Sequence, residues 1–208
     1  MNRFSIMVLM KQKERALVLI KPDGVQRTLI GEIIKRYERS GLKLIGLKFL
    51  VPTEEMAEKH YLIDSGWLEA VGSKTKRAYE KKGEKYPFGD VVEGGKWVLG
   101  KLKKFLSSGP VVAMVWEGNE SVEIARKITG GTEPRTSDVG TIRGDFTIDS
   151  YSLADTDRRA VRNLVHASGS PGEAEKEIKV WFDEKELVNY RLVQEQILYD
   201  VNLDGILE

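Results

Sequence analysis

The order in which apolar runs alternate with amphipathic segments is the strongest constraint on how this chain can fold. A buried strand is predicted at residues 15–21, a helix follows from its N-cap at Thr28 to Gly41, and a second strand spans residues 42–51. The same strand–helix–strand order returns in the second half of the chain. Two such units predict an α+β fold, a ferredoxin-like βαββαβ antiparallel sheet with helices packed on it.

The second unit begins with the apolar run "VVAMVW" at residues 111–116. A helix opened by Asn119 follows, and the last strand is short, at residues 164–168. Two-residue alternation places three side chains on one face of that strand: Leu164, His166 and Ser168. After the strand, "SPGE" predicts a helix with a full capping box at Ser170.

The segment between the two units departs from this regularity. Residues 62–96 are charged, contain six glycines and one proline, and are predicted to hold at most one helix, near residues 68–82. An amphipathic helix is predicted to follow at residues 97–106. We therefore predict a single domain over residues 1–208, with an insertion at about 62–96 and a smaller one at about 149–159.

Charge and composition restrict the partners and the compartment. The net charge is +1, so only a local patch could bind nucleic acid. Six basic residues against two acids at positions 74–85 form a candidate patch, with a solvated helix face as the simpler interpretation. The absence of cysteine excludes disulfides and thiolate zinc sites. The apolar run at residues 4–10 is too short to span a bilayer; an added edge strand or a disordered leader is expected, and the protein is predicted to be cytoplasmic.

One of only two histidines, His166, lies in the predicted last strand among small residues that leave its imidazole accessible. Taken alone, it is interpreted as either a buried core histidine or a functional group. Glu177 shares the apolar face of the following helix with Trp181, where a carboxylate is costly unless it has a partner. His166 offers that partner, although a solvated rim position would also explain Glu177. A carboxylate that orients an imidazole prepares the histidine to act as a nucleophile or base.

Three cations without an obvious structural task lie at or beyond the ends of predicted elements: Lys21, Arg126 and Arg143. Together they suggest a phosphate site, because guanidinium forks and an ammonium group match phosphoryl oxygens. The sequence contains neither a Walker loop nor a dinucleotide fingerprint. The two histidines, His60 and His166, are distant in the sequence and are predicted to make a poor metal site.

Several stretches resemble the nucleoside diphosphate kinase family. "ALVLIKPDGVQRTLIGEIIKRYERSGLKLIGLK" is similar to its N-terminal third, and "SGPVVAMVWEGNESVEIARKITGGTEP" and "GTIRGDF" are similar to its middle. "RNLVHASGS" and the helix after it resemble its active-site signature. The resemblance implies a ping-pong phosphotransferase. In it, His166 takes the γ-phosphate of a nucleoside triphosphate on the ring nitrogen nearer the backbone and passes it to a nucleoside diphosphate.

The resemblance also implies roles for the other site residues. Glu177 would orient the imidazole and Ser168 would support it. Six residues match the phosphate and sugar contacts of the family: Lys21, Tyr61, Arg126, Thr132, Arg143 and Asn163. The implied cofactor is Mg²⁺, held by the nucleotide phosphates and by no protein side chain. The implied assembly is a homo-oligomer, with a hexamer expected; neither a membrane nor nucleic acid is an expected partner.

Three features depart from the family pattern. The connector at residues 62–96 is longer than usual, and the base-stacking phenylalanine has no clear counterpart, so Val98 and Leu102 become the candidate base contacts. Residues 149–159 lengthen the approach to the histidine strand, and "HASGS" places Gly169 where the family has an aspartate. The alternative function is a non-catalytic nucleotide- or nucleic-acid-binding scaffold on the same fold. Retention of the histidine, the carboxylate and the cations favours the enzyme.

Overall fold

The computed structural model describes residues 13–199, in which four strands form one antiparallel sheet. The strands are β1 (Glu14–Ile20), β2 (Lys43–Leu50), β3 (Val111–Gly118) and β4 (Val165–Ala167). Their order across the sheet is β2-β3-β1-β4, so the two strand–helix–strand units interleave. This is the predicted ferredoxin-like arrangement. The apolar run at residues 4–10 lies outside the described residues.

Helices connect and cover these strands. In chain order they are α1 (Pro22–Gln26), α2 (Ile30–Arg39), α3 (Glu54–Tyr61), α4 (Trp67–Lys82), α5 (Val91–Leu106), α6 (Ser121–Thr129), α7 (Ile142–Phe146), α8 (Tyr151–Thr156), α9 (Pro171–Trp181) and α10 (Gln194–Tyr199). Short 3-10 turns lie at Pro134–Thr136 and Glu184–Glu186. Within residues 13–199, no helix has the length and apolar character needed to cross a membrane.

Side chains of the strands alternate between two apolar layers, one on each face of the sheet. Val18 of β1 belongs to the first layer, which α2 and α6 cover. Leu19 belongs to the second layer, with Ala57 of α3 and Trp181 of α9. Because Leu19 pairs with His166 across β1 and β4, the imidazole lies on the second face. Helices α3 and α9 are therefore its neighbours.

Two of the predicted helix starts are wrong. Thr28 does not cap α2: its φ is 57°, and no side-chain cap is formed at this end of the helix. The turn between α1 and α2 requires a left-handed residue here, which is incompatible with the extended backbone of an N-cap. Asn119 does not open α6, whose N-cap is Glu120 with φ 46°. The Glu14 carboxylate, from β1, accepts a free N–H at that helix end instead.

The capping box predicted at Ser170 is only half formed. Ser170 Oγ accepts the N–H of Glu173 at 3.2 Å, as predicted. The Glu173 carboxylate, however, accepts the N–H of Gly169 at 3.1 Å rather than that of Ser170. A Cβ at Gly169 would lie 2.4 Å from Glu173 Oε2. A side chain at position 169 would therefore require the Glu173 carboxylate to move.

The two lengthened segments are more helical than predicted. Residues 62–96 contain α4 and the first turns of α5, which begins at Val91 rather than at residue 97. The polar stretch 149–159 contains α8. Helix α4 packs closely against α5: a Cβ added at Gly72 would lie only 1.6 Å from the Val91 carbonyl oxygen. Only glycine permits this approach of the two backbones, so α4 has a defined place on the fold.

Candidate active site

His166 lies at one wall of a large cleft between the sheet and helices α4, α5 and α8. The cleft has a volume of about 820 Å³. Nine of the residues predicted from the sequence line it: Lys21, Tyr61, Val98, Leu102, Arg126, Thr132, Arg143, Asn163 and His166. The other two, Ser168 and Glu177, are buried behind the imidazole. The fold thus gathers all the predicted site residues around one cleft.

In strand β4, which carries His166, the predicted alternation of side chains between the two faces is only partly observed. It begins at Val165, and Leu164 before it has φ 64°. The chain turns at Leu164, whose side chain lies in the first apolar layer, so the prediction that Leu164 shares a face with His166 is wrong. Contacts stabilise this unusual backbone conformation. The Asp23 carboxylate accepts the Leu164 N–H at 3.0 Å, and the Lys21 N–H donates to the Leu164 carbonyl at 2.7 Å.

Glu177 faces the imidazole from α9. It is only 1% exposed, so the alternative of a solvated rim position is wrong. Its Oε1 lies 2.8 Å from Nε2 of His166, and its Oε2 accepts the hydroxyl hydrogen of Ser168. Oε1 is off the axis of the ring N–H bond, so the contact is a close approach rather than an aligned hydrogen bond. A carboxylate here favours the tautomer protonated on Nε2, which leaves the lone pair of Nδ1 free.

Burial and nearby cations keep His166 uncharged. Burial lowers its pKa well below the ordinary value, and Lys21, Arg143 and Arg126 lower it further. Burial also raises the pKa of Glu177 above its ordinary value. A neutral imidazole has an unshared electron pair, which a nucleophile needs. The same cations that keep the ring neutral would attract an anionic substrate to it.

Asn163 links the ammonium group of Lys21 to the loop after α6. Its Oδ1 accepts from Lys21 Nζ at 2.7 Å, and its Nδ2 donates to the Thr132 carbonyl at 2.8 Å. Burial, with repulsion from Arg143, lowers the pKa of Lys21 to about 7. A buried ammonium beside a guanidinium is stabilised when an anion approaches. This part of the cleft therefore suits a phosphate group.

The two arginines of the cleft are held in different ways. Arg143 is 8% exposed, and its guanidinium donates to four backbone carbonyls: Gly130, Gly131, Asn163 and Val165. These bonds use four of its five N–H hydrogens and leave one for a ligand. Arg126 is exposed in the cleft, and its guanidinium has no hydrogen-bond or ion-pair partner among the described residues. Arg143 therefore fixes the backbone around the cleft and also contributes positive charge, whereas Arg126 contributes positive charge only.

His60 is a residue of this site that the sequence analysis missed. It lies on α3 and is 1% exposed, and its ring centroid is 4.5 Å from that of His166, with the rings edge to face. The two histidines are distant in the sequence, but α3 packs on the sheet face to which His166 points, and this brings their rings together. The signal in the sequence was weak. His60 lies one helical turn after Ala57, on the buried side of a short helix.

The folded state is expected to lose stability as the pH falls below about 6.5, the ordinary histidine pKa. Burial lowers the pKa of His60 to about 3. Between pH 6.5 and pH 3 the unfolded chain binds a proton at His60 that the folded chain does not. The contribution of His60 to the loss of unfolding free energy therefore approaches about 1.4 kcal/mol per pH unit. Protonation of Glu177, whose pKa is raised, offsets part of the total.

Urea unfolding at pH 7 and pH 5 measures this effect. The His60→Asn variant should lose about 1 to 2 kcal/mol less than the unsubstituted protein between the two values. Equal losses in the two proteins would show that His60 is not held neutral by burial.

The segment 62–96 forms a wall of the cleft through α4. One face of this helix lines the cleft along its length: Trp67, Val71, Lys74, Thr75, Ala78, Tyr79 and Lys82. Lys82 Nζ also lies 2.7 Å from Asp155 Oδ2 of α8, so the two lengthened segments meet at the cleft. Outer residues of α4 such as Lys76 are absent from the lining.

Replacing residues 64–84 with a short Gly/Ser linker is expected to raise KM for nucleotides by about tenfold, or about 1.4 kcal/mol of binding. Phosphorylation of His166 by ATP should persist, because every predicted phosphate contact lies outside the replaced span. Steady-state kinetics and labelling with ATP measure the two effects, with Lys76→Ala as the neutral control. Loss of labelling in a folded variant would place catalytic residues within α4.

The fold and the cationic cleft together are those of a phosphotransferase. The family model for nucleoside diphosphate kinase matches residues 14–92 and 68–187. A nucleoside diphosphate kinase of Pyrobaculum aerophilum is 46% identical over 179 residues, which cover 84% of this chain and 98% of that protein. One from Nostoc punctiforme is 44% identical over 178 residues, covering 86% and 93%. The chain belongs to the nucleoside diphosphate kinase family.

Solved structures agree with this assignment. The NDP kinase of Pyrobaculum aerophilum superposes with a TM-score of 0.82 at 44% identity, covering 85% of this chain and 100% of that one. The Borrelia burgdorferi enzyme, a transition-state mimic with bound vanadate and ADP, gives 0.75 at 35% identity, covering 90% and 97%. The Halobacterium salinarum enzyme in complex with CDP gives 0.64 at 34% identity, covering 90% and 99%. The predicted family, fold class and enzyme class are confirmed.

Proposed function

We propose that this chain transfers the γ-phosphate of a nucleoside triphosphate to a nucleoside diphosphate by a ping-pong mechanism, through a phosphohistidine at His166. The environment of that imidazole carries the proposal. Burial and the nearby cations lower the pKa of its ring well below the ordinary value, Glu177 Oε1 lies 2.8 Å from Nε2, and Nε2 is buried. Nδ1 is therefore the ring nitrogen available on the cleft side, where the cations lie.

In the first half-reaction, the lone pair of His166 Nδ1 attacks the γ-phosphorus. A nitrogen–phosphorus bond forms while the bond from the γ-phosphorus to its bridging oxygen breaks, and that oxygen leaves with the electron pair on the nucleoside diphosphate. Lys21, Arg126 and Arg143 stabilise the negative charge on the transferred group and the leaving group. In the second half-reaction, a terminal oxygen of another nucleoside diphosphate attacks the phosphorus, and the imidazole is released neutral.

Mg²⁺ is proposed to arrive as part of the nucleotide substrate, bound to its phosphates. One group of potential metal ligands among the described residues is His60, His166 and Glu177, whose ligand atoms lie within 4.8 Å of one another. Two imidazoles and one carboxylate do not suit Mg²⁺, which prefers oxygen ligands. Trp181 Nε1 also donates to His60 Nδ1 at 3.3 Å, which occupies one of these atoms. This supports a site that binds magnesium only through the nucleotide.

The remaining contacts follow from their positions in the cleft. Asn163, Thr132 and Tyr61 are proposed to bind the sugar and the phosphates of the nucleotide. Val98 and Leu102 are proposed to contact its base. Relatives described with ADP and with CDP support a cleft that takes both a purine and a pyrimidine. We further propose that the chain forms a single domain with insertions at about 62–96 and 149–159. The protein is proposed to form a homo-oligomer, with a hexamer expected, and to be cytoplasmic.

A transfer assay tests the function. With ATP and magnesium as donor, the protein should phosphorylate ADP, GDP, CDP and UDP with kcat/KM values within about tenfold, or about 1.4 kcal/mol. The reason is that Val98 and Leu102 offer apolar area but no polar group that could distinguish one base from another by hydrogen bonding. Nucleotide binding without transfer would favour the non-catalytic scaffold instead. A hundredfold preference for one base would show that another group of the cleft reads the base.

A further inference from the structure

His60 is a buried side chain at the site that the proposed mechanism does not use. We infer that His60 is a positioning residue: its ring, fixed by Trp181, holds the His166 imidazole so that Nδ1 rather than Nε2 receives the phosphoryl group. The inference rests on the proposed function, because it concerns which nitrogen of His166 reacts. His60 itself does not line the cleft, so it is not expected to touch the nucleotide.

The contact between the two histidines restricts rotation of the reacting ring. Their centroids are 4.5 Å apart and their planes are at 85°, so one ring meets the other edge to face. The second side-chain torsion of histidine is broad and roughly two-fold. A half-turn about it would move Nδ1 out of the cleft and place Nε2 where Cε1 now lies. Because the His60 ring lies 4.5 Å away at 85°, the His166 ring would press against it during such a half-turn, and the flipped ring would lose the approach of Nε2 to Glu177.

Trp181 holds His60 in place and sets its tautomer. The Trp181 indole Nε1 donates to His60 Nδ1 at 3.3 Å, and the two ring centroids are 5.7 Å apart. Indole nitrogen is only a donor, so Nδ1 of His60 is an acceptor and the ring proton is on Nε2. Tyr61 also contacts the His60 ring, with centroids 4.9 Å apart and ring planes at 61°. His60 is thus fixed on two sides before it contacts His166.

This tautomer leaves the Glu177 carboxylate for the reacting histidine. Glu177 Oε1 lies 3.7 Å from His60 Nδ1 and 2.8 Å from His166 Nε2. Because Nδ1 of His60 accepts the indole hydrogen, it has no proton to offer to that oxygen. Oε1 therefore remains available to Nε2 of His166, which favours the lone pair on Nδ1 of the same ring. His60 and Trp181 act on the reaction only through His166 and Glu177.

The site of phosphorylation provides a readout that a merely structural role would not move. The unsubstituted protein, His60→Ala and Trp181→Phe are each phosphorylated with ATP and magnesium and then denatured in alkali, where phosphohistidine survives. Phosphorus NMR then distinguishes phosphate on Nδ1 from phosphate on Nε2. The control is Ile33→Ala, a buried residue of the opposite layer that lowers stability without approaching either histidine.

We expect the unsubstituted protein and Ile33→Ala to carry phosphate on Nδ1 alone. His60→Ala should place more than about a tenth of the phosphate on Nε2 and slow phosphorylation by about tenfold or more, because misplacement of a reacting group is costly. KM for ATP should change by less than about twofold, since His60 makes no contact with the cleft. Trp181→Phe, which retains an aromatic ring but loses the donor, should show the same changes to a smaller extent.

Phosphate confined to Nδ1 at an unchanged rate in both His60→Ala and Trp181→Phe would overturn the inference. An increase of KM with no change in rate would also overturn it, because it would make His60 a binding residue. If His60→Ala does not fold, Trp181→Phe alone decides between these outcomes. Absence of phosphohistidine in the unsubstituted protein is a distinct result: it would refute the proposed function, and the positioning role with it.

Discussion

Replacing His166 with alanine is expected to abolish both the phosphorylated intermediate and nucleotide turnover. The substitution removes the nitrogen that forms the bond to phosphorus, and removal of a covalent nucleophile reduces kcat by about 10⁴-fold or more. Incubation with ATP labelled at the γ-phosphate and magnesium measures the first effect. The unsubstituted protein should acquire label through a bond that is labile in acid and stable in alkali, and His166→Ala should acquire none.

Glu177→Gln provides a graded comparison, because it retains the shape of the side chain but removes its charge. It should still be labelled, with turnover lower by about 10²-fold, since the carboxylate only orients the imidazole and stabilises its Nε2 proton. Equal labelling of His166→Ala and the unsubstituted protein would show that the phosphate resides on another residue. Both variants leave the residues that line the rest of the cleft intact.

The second large effect is expected from the arginines of the cleft. Arg126→Ala and Arg143→Ala should each lower kcat/KM by about 10²-fold, because each removes a positive charge placed where negative charge develops. Their effects on stability should differ. Arg143→Ala leaves four backbone carbonyls without their donor and should lower the free energy of unfolding by about 2 kcal/mol or more. Arg126→Ala should change it by less than about 0.5 kcal/mol.

Chemical unfolding and steady-state kinetics of the same samples separate the two quantities. Lys127→Ala is the matched control, because Lys127 follows Arg126 on α6, is exposed and does not line the cleft. Near-normal turnover of Arg126→Ala would make this residue an ordinary surface cation. Loss of turnover in Arg143→Ala without loss of stability would mean that its backbone contacts contribute little to the fold.

The parts of this protein that the sequence predicted well are those that depend on neighbouring residues. Apolar runs with turn residues at both ends predicted the strands of the sheet. The face shared by Glu177 and Trp181 indicated either a carboxylate paired with His166 or a solvated rim position, and the structure shows the buried one. The quoted motifs predicted the family, and the residues that they contain meet around one cleft. Periodicity and local motifs are encoded over a few residues, so they can be recognised without the fold.

Some errors arose where a distant element supplied a partner that the local sequence lacks. Thr28 and Asn119 are residue types that commonly cap helices. Thr28 instead lies in the turn before α2, and at the start of α6 the Glu14 carboxylate from β1 accepts a backbone N–H. Two-residue alternation predicts Leu164 as the first residue of the last strand. Its backbone turns instead, with its N–H bound by Asp23 from the first half of the chain. Local propensity differs by only fractions of a kcal/mol among such alternatives, so tertiary contacts decide between them.

By itself, the sequence determined the α+β sheet, the family and most of the residues that surround His166, because these depend on local patterns and quoted motifs. The tertiary structure alone decided that His60 lies 4.5 Å from His166 and that Arg143 donates to four backbone carbonyls. It also decided that α4 forms a wall of the cleft. These features join residues far apart in the chain, and they exist only because burial on a common sheet face or against a neighbouring helix brings those residues into contact.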